Sequence, residues 1–216
     1  MIELDQFAQK RPFLYHLTAR VNVDSITTSG TLFSASVLLE AADEAEAKGF
    51  LRVRRPQHLT IKLNGRLLQI RDQRPLSEKA LAKCLEGDLR PADYYEILNS
   101  RVFLWPTIQR LQKHYDRYKD EKPTLLRFST SQIVALNPNV EFSRLNSGAT
   151  RANSYLGGIA PRRGRSTFRL AKAFDYGISA IAEVTLQQRC LLPRTFECAR
   201  TPAGPWLLVK LPDTSV

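Results

Sequence analysis

Cysteine is scarce and dispersed. Cys84, Cys190 and Cys198 are the whole complement. An odd number without CxxC spacing excludes a disulfide scaffold and a thiolate metal knuckle, and points to a reduced, cytoplasmic setting. Histidine is equally sparse: His16, His58 and His114 lie far apart with no HExxH, so no metal site is expected. There is no GxxxxGK[ST] phosphate loop and no GxSxG nucleophile elbow. GGIAPRRG, residues 157–164, lacks the strand-turn-helix setting of a dinucleotide fingerprint. No apolar run is long enough to cross a bilayer. The opening MIELDQF has early acids and no apolar core, so no signal peptide is expected.

Charge is abundant and one-sided. Thirty-two Lys/Arg stand against 21 Asp/Glu, a net +11. The basic residues cluster. Lys48 to Arg74 holds eight Lys/Arg against Asp72 alone, and Arg144 to Lys172 holds seven with no acid. Such stripes either solubilise a surface or attract phosphate backbones. The 216 residues suffice for a core without metals or staples, and no repeat or linker divides them. We expect one domain over residues 1–216.

Patterning gives short elements of both kinds. Asn22 is a candidate N-cap for a helix ended by Gly30, and Ser34 for a helix reaching Gly49. HLTIKL, Asn64-Gly65 and RLLQIRD read as a hairpin with a type I′ turn. Ser77 starts a helix running to Gly87, PADYYEIL is helical, and Thr107 caps an amphipathic helix, TIQRLQKHYDRYKDE. RPFLYHLT, SRVFLWP, TLLRFS, NVEFSRL, residues 178–186 and PWLLVKLP read as strands or, for the last, an apolar turn. Residues 146–168 form a long loop rich in Gly, Asn, Ser and Arg, of the kind that is functional or mobile. Elements intersperse without β-α-β alternation, which favours an α+β fold over a doubly wound sheet.

Two strands carry polar groups on otherwise apolar faces. In the first, Phe13, Tyr15 and Leu17 alternate with His16 and Thr18. In residues 178–186, Ala180, Ala182, Val184 and Leu186 oppose Ile181, Glu183 and Thr185. Glu183 is the lone charge there: either an edge glutamate facing water or a desolvated carboxylate lining a cleft.

His16-Leu-Thr18, Asn22, Ser25-Ile26 and Gly30 resemble the opening H-x-T-x₃-N-x₂-S-I-x₃-G of DarT-type ADP-ribosyltransferases. Thr31 intervenes before Leu32 where the family has leucine. SAIAEVTL is similar to the family's catalytic-glutamate strand. Residues between Gly30 and Arg101 match poorly, so the resemblance covers two short ends of the chain. It implies an ADP-ribosyltransferase-like fold with a mixed, split β-sheet core and surrounding helices. It implies NAD as co-substrate, held by His16 and Thr18 with Asn22 beside them, and Glu183 as the catalytic carboxylate. The family also needs an arginine near the pyrophosphate or target base. Arg101 is the choice, with Arg20, Arg52 and Arg54 as alternatives, and Trp105 is either core filler or a stacking platform.

Cleavage of the nicotinamide–ribose bond builds oxocarbenium-like charge. A carboxylate holding the ribose 2′-OH stabilises it, and the same carboxylate can assist the incoming nucleophile. Arginine-modifying transferases carry Gln or Glu two positions before the glutamate, where this chain has Ile181. Together with the charge, this favours a base in DNA or RNA as acceptor, with Arg151, Arg162, Arg163 and Arg165 on the phosphate backbone. A toxin or phage-defence role, with an antitoxin or immunity protein as partner, follows from the same resemblance. The rivals are a protein, small-molecule or RNA 2′-phosphate acceptor, and a non-enzymatic basic nucleic-acid-binding module.

Overall fold

The computed structural model describes residues 1–150 and 160–212. The fold is α+β. Its strands are β1 (Phe13–Thr18), β2 (Thr31–Phe33), β3 (Leu59–Leu63), β4 (Arg66–Ile70), β5 (Arg101–Leu104), β6 (Thr124–Ser129), β7 (Glu141–Ser143), β8 (Arg169–Leu170), β9 (Glu183–Gln187), β10 (Arg189–Leu191), β11 (Thr195–Ala199) and β12 (Leu207–Lys210). Its α-helices are α1 (Leu4–Lys10), α2 (Val23–Ser29), α3 (Ala35–Ala41), α4 (Glu78–Ala82), α5 (Pro91–Asn99), α6 (Ile108–Tyr115) and α7 (Thr130–Leu136). No helix among the described residues is long and apolar enough to cross a membrane.

Two four-stranded sheets dominate, ordered β1-β6-β11-β12 and β5-β9-β7-β8. Every strand pair among the described residues is antiparallel, where a mixed sheet was expected. Among the described residues the sheets touch at one backbone bridge: Tyr15 N–H donates to Trp105 C=O (3.0 Å) and Trp105 N–H to Tyr15 C=O (2.8 Å). The main core lies around this junction. It includes Leu14 of β1, Phe128 of β6, Phe142 of β7, Val184 of β9, and Phe7 and Ile133 from α1 and α7. The Phe7 and Phe142 rings meet at 4.9 Å. On the other face of β1, Tyr15 and Leu17 pack with Leu111 of α6 and Leu125 of β6. Both faces of β1 are therefore buried over most of its length, and its one large exposed apolar residue is Phe13.

Several local expectations change, and the helices begun at Ser77 and Thr107 stop at Ala82 and Tyr115, short of Gly87 and Glu121. Residues 178–180 form a 3-10 turn after Gly177, so β9 begins only at Glu183. The helix after Ser34 stops at Ala41, although Ser34 does cap it by accepting from Val37 N–H. Asp43 and Glu44 are drawn out of the helical path because their carboxylates accept from the hairpin backbone at Asn64, Gly65 and Lys62. Asn22 stands at the head of α2 but makes no cap bond there. Its amide instead accepts from Gln69 N–H (2.8 Å) and donates to Gln69 C=O (2.8 Å) and Thr18 Oγ1 (3.1 Å). This single side chain ties the hairpin β3-β4 to the end of β1.

Gly30 does end α2 in the left-handed conformation, and the Asn64-Gly65 turn has positive φ at both residues, as a type I′ turn requires.

Removing the Asn22 amide leaves two backbone groups of Gln69 unpartnered, at a cost of about 1–3 kcal/mol. We expect Asn22→Ala to lower the free energy of unfolding by that amount, read as a lower urea midpoint with little change in slope.

Candidate functional site

Beyond the Tyr15–Trp105 bridge the two sheets diverge, and a cleft of about 270 Å³ opens between them. His16, Thr18, Phe103 and Glu183 form part of its lining, together with Asn22 and Ile26, Gln69 of β4, and Trp105, His114 and Tyr118. The split thus brings the two polar strand faces into one cavity.

His16 Nδ1 lies 2.9 Å from Phe103 C=O. A carbonyl only accepts, so Nδ1 carries the proton and Nε2 presents a lone pair. Nε2 has no partner among the described residues. Burial holds the ring well below its ordinary value, down to about 4, with the Phe103 bond opposing and Arg71 adding to the depression. The ring is therefore neutral at pH 7. Thr18 is buried, and its Oγ1 accepts from Asn22, which leaves its hydroxyl hydrogen to donate.

Glu183 is 5% exposed on β9, an inner strand flanked by β5 and β7, so the edge-glutamate alternative falls. Ser147 holds the carboxylate: its Oγ donates at 2.6 Å, and its N–H reaches both oxygens at 3.2 Å. Burial nevertheless pushes Glu183 up to about 7, against the downward pull of Ser147, Arg110 and Arg163. A carboxyl near half-ionisation at neutral pH, in a cleft, is a combination that marks functional sites.

Other candidates are placed differently. Arg101 lines the cleft, but its guanidinium is engaged: Nε and Nη2 grip Glu141 at 2.8 and 3.2 Å, and Nη1 donates to Ile97 C=O at 2.7 Å. Glu141 in turn accepts from Thr185 Oγ1 and Gln187 Nε2 on β9. Arg101 therefore braces the face of β9 that carries Glu183. The ion pair accounts for this guanidinium within the scaffold, at the margin of the cleft it lines.

Arg163 is 3% exposed, with its guanidinium on the carbonyls of Pro161 and Ala149. That removes it from any phosphate-facing surface. Arg162 and Arg165 are exposed, and Arg162 also donates to Leu85 C=O. Arg151 lies outside the described residues.

The first basic stripe is largely spent internally. Arg52 pairs with Asp93 and Glu96, Arg71 with Glu121, and Arg74 with Asp72 and Glu121, while Arg55 is buried against Asn99.

Sequence reasoning missed Ser147 and the wall built by α6. The rings of Trp105 and His114 stack at 4.3 Å, and His114 meets Tyr118 at 5.0 Å, forming an aromatic ladder along the cleft. Burial pushes His114 down to about 3, so it too is neutral. Its helical spacing from Tyr118 was visible, but not the cavity it would face.

A family model described as a family of unknown function (DUF7002) matches residues 12–191. The chain belongs to that family. The matched span contains both His16 and Glu183 and ends at β10, before β11 and β12. Comparison with curated proteins and with solved structures returns no match. Membership in this family assigns no activity, so the chemistry rests on the site itself.

The Glu183 shift is also a statement about stability. Because its native value lies above that of an exposed carboxyl, the stability it contributes is complete at low pH and is lost as pH rises through about 7. We expect Glu183→Gln to gain stability relative to the parent between pH 5 and pH 8 by on the order of 3 kcal/mol, read from urea midpoints. His16 and His114 titrate alike in both proteins and cancel in the comparison.

Proposed function

We propose that the protein is an NAD-dependent ADP-ribosyltransferase acting on a nucleic-acid base, built on an ADP-ribosyltransferase-like split-sheet fold. The observation that carries this reading is the meeting of His16 and Thr18 with Glu183 in one cleft, from strands 165 residues apart in the chain.

The chemistry of the lining fits NAD. A neutral imidazole offers an unpartnered Nε2 acceptor, a buried hydroxyl offers a donor, and the aromatic ladder offers ring faces. NAD, when bound, supplies an ADP-ribosyl group through its N-glycosidic bond. His16 Nε2 accepts from a ribose hydroxyl, and Thr18 donates to an amide or hydroxyl oxygen. Glu183, as carboxylate, accepts from the ribose 2′-OH, a hydrogen bond that strengthens as positive charge develops at the anomeric carbon. Ser147 keeps the carboxylate in one rotamer without supplying a cation that would neutralise it. The low exposure of Glu183 excludes bulk water and raises the worth of that charge.

Labelled NAD incubated with single-stranded DNA, RNA or a protein extract, beside Glu183→Gln, tests the reading. We expect label on nucleic acid and a loss of at least 100-fold in the variant. The parent rate should rise with pH through an inflection near 7, because the ionised carboxyl is the active form. A folded parent that consumes no NAD with any acceptor, or a fully active Glu183→Gln, overturns it. Label on protein alone moves the acceptor to the protein class.

A further inference from the structure

Glu183 borders a second groove as well as the main cleft. That groove lies toward α6 and is lined by Trp105, Arg110, Lys113, His114, Arg117, Asn146, Ala182 and Glu183. Trp105, His114, Arg117, Asn146 and Glu183 belong to both cavities, so the two adjoin and share Glu183.

The three cations of the groove have a common origin. Arg110, Lys113 and Arg117 recur at i, i+3 and i+7, the spacing of one helical face, with Arg117 just past the last turn of α6. Thr107 caps the helix by accepting from Arg110 N–H, and Leu111 anchors its opposite side in the core beside Tyr15 and Leu17. The basic face is therefore held in place by the sheet beneath it.

Among the described residues none of the three cations makes an ion pair, whereas Arg52, Arg71 and Arg74 of the first stripe do. Three unpaired positive charges against one carboxylate exceed what that carboxylate needs. The carboxylate is, besides, already hydrogen-bonded by Ser147. Arg110 is partly buried, and burial draws its proton affinity down despite Glu183 nearby. Desolvating an arginine without pairing it is costly, and an incoming anion offsets that cost.

We infer that this groove is the acceptor's entrance, and that Arg110, Lys113 and Arg117 track the phosphates of a single-stranded nucleic acid while Trp105 offers a face to the base brought to Glu183. The inference rests on the proposed function for its chemistry but not for the binding itself. A single strand is required because a base stacked in a duplex cannot reach a carboxylate that is 5% exposed. Phosphate tracking beside an aromatic ring is the common arrangement for such strands.

The test is direct binding. Fluorescent 20-mers of single-stranded DNA and of RNA are titrated against the full-length protein over a salt series. The proteins are the parent, Lys113→Gln/Arg117→Gln, and the equal-charge control Lys79→Gln/Lys83→Gln on the exposed face around α4. Thermal midpoints verify that each is folded. We expect the parent to bind one or both strands with a steep salt dependence. The groove variant should bind at least 10-fold more weakly, with its log Kd against log salt slope reduced by about 1.4, or about 0.7 per cation removed. The control should stay within about twofold.

Equal weakening in both variants, an unaffected groove variant, or no strand binding by the parent overturns the inference. The two readings fail separately. A parent that binds strands in this groove yet never consumes NAD leaves the groove and removes the activity. NAD-derived label on protein, with an intact rate in the groove variant, keeps the transfer chemistry and removes the groove.

Discussion

Tyr15 and Trp105 are, among the described residues, the one backbone pair shared by the two four-stranded sheets, and everything at the site depends on what their bridge permits and prevents. It fixes β1 against the end of β5, so the sheets cannot slide. Both are edge strands, β1 paired with β6 and β5 with β9, and among the described residues their free edges meet at this bridge alone. Past the bridge the strands separate, and the gap would expose backbone polar groups unless side chains met them. His16 does so by donating Nδ1–H to Phe103 C=O. The same bond selects the tautomer that leaves Nε2 facing the cleft. One structural requirement and one chemical property are thus satisfied by a single ring.

The electrostatics follow from the same junction. β9 is covered on both edges, so Glu183 enters the cleft with little water around it, and burial outweighs the Ser147 bonds and the nearby arginines. Arg101 is often the kind of residue assigned to a ligand, yet here it neutralises Glu141, whose carboxylate also gathers Thr185 and Gln187. That network stiffens the strand that presents Glu183. Asn22 serves likewise from the opposite wall, joining Thr18 to the hairpin. Much of the polar lining is scaffold, which leaves Nε2 of His16, the Thr18 hydroxyl, the Glu183 carboxylate and the α6 cations as the groups with chemistry to spare.

Local order was legible where one or two residues dictate it. Asn64-Gly65 specified its turn, Gly30 its helix end, and Ser34, Ser77 and Thr107 their caps. The joining of His16 and Glu183 was legible only as an odd polar residue on each of two apolar strands. What failed shares a cause. Residues 181–186 are buried on both faces, so alternation could not locate the start of β9, and the 3-10 turn over Ile178–Ala180 passed as strand. α3 ends early because two acids in its path have long-range partners in the hairpin. Charge counting fared worst: a run of arginines says nothing of which carboxylates lie opposite.

That last point bears on how basic character should be read here. Between Lys48 and Arg74, Arg52, Arg71 and Arg74 are matched by Asp72, Asp93, Glu96 and Glu121, Arg55 is buried against Asn99, and in the later stripe Arg163 is buried on carbonyls. An arginine matched by a local acid adds no field at a distance and releases few counterions to a strand. A cation that stays unmatched beside a buried carboxylate is different, because its field converges with that of its neighbours in a place of low dielectric. On the α6 face Arg110 meets this condition beside Glu183, while the exposed Lys113 and Arg117 carry their charge at the surface of the same groove. The fold therefore divides the basic composition into arginines held in ion pairs or on carbonyls and cations left without an acidic partner, a division that the spacing of arginines along the chain does not reveal.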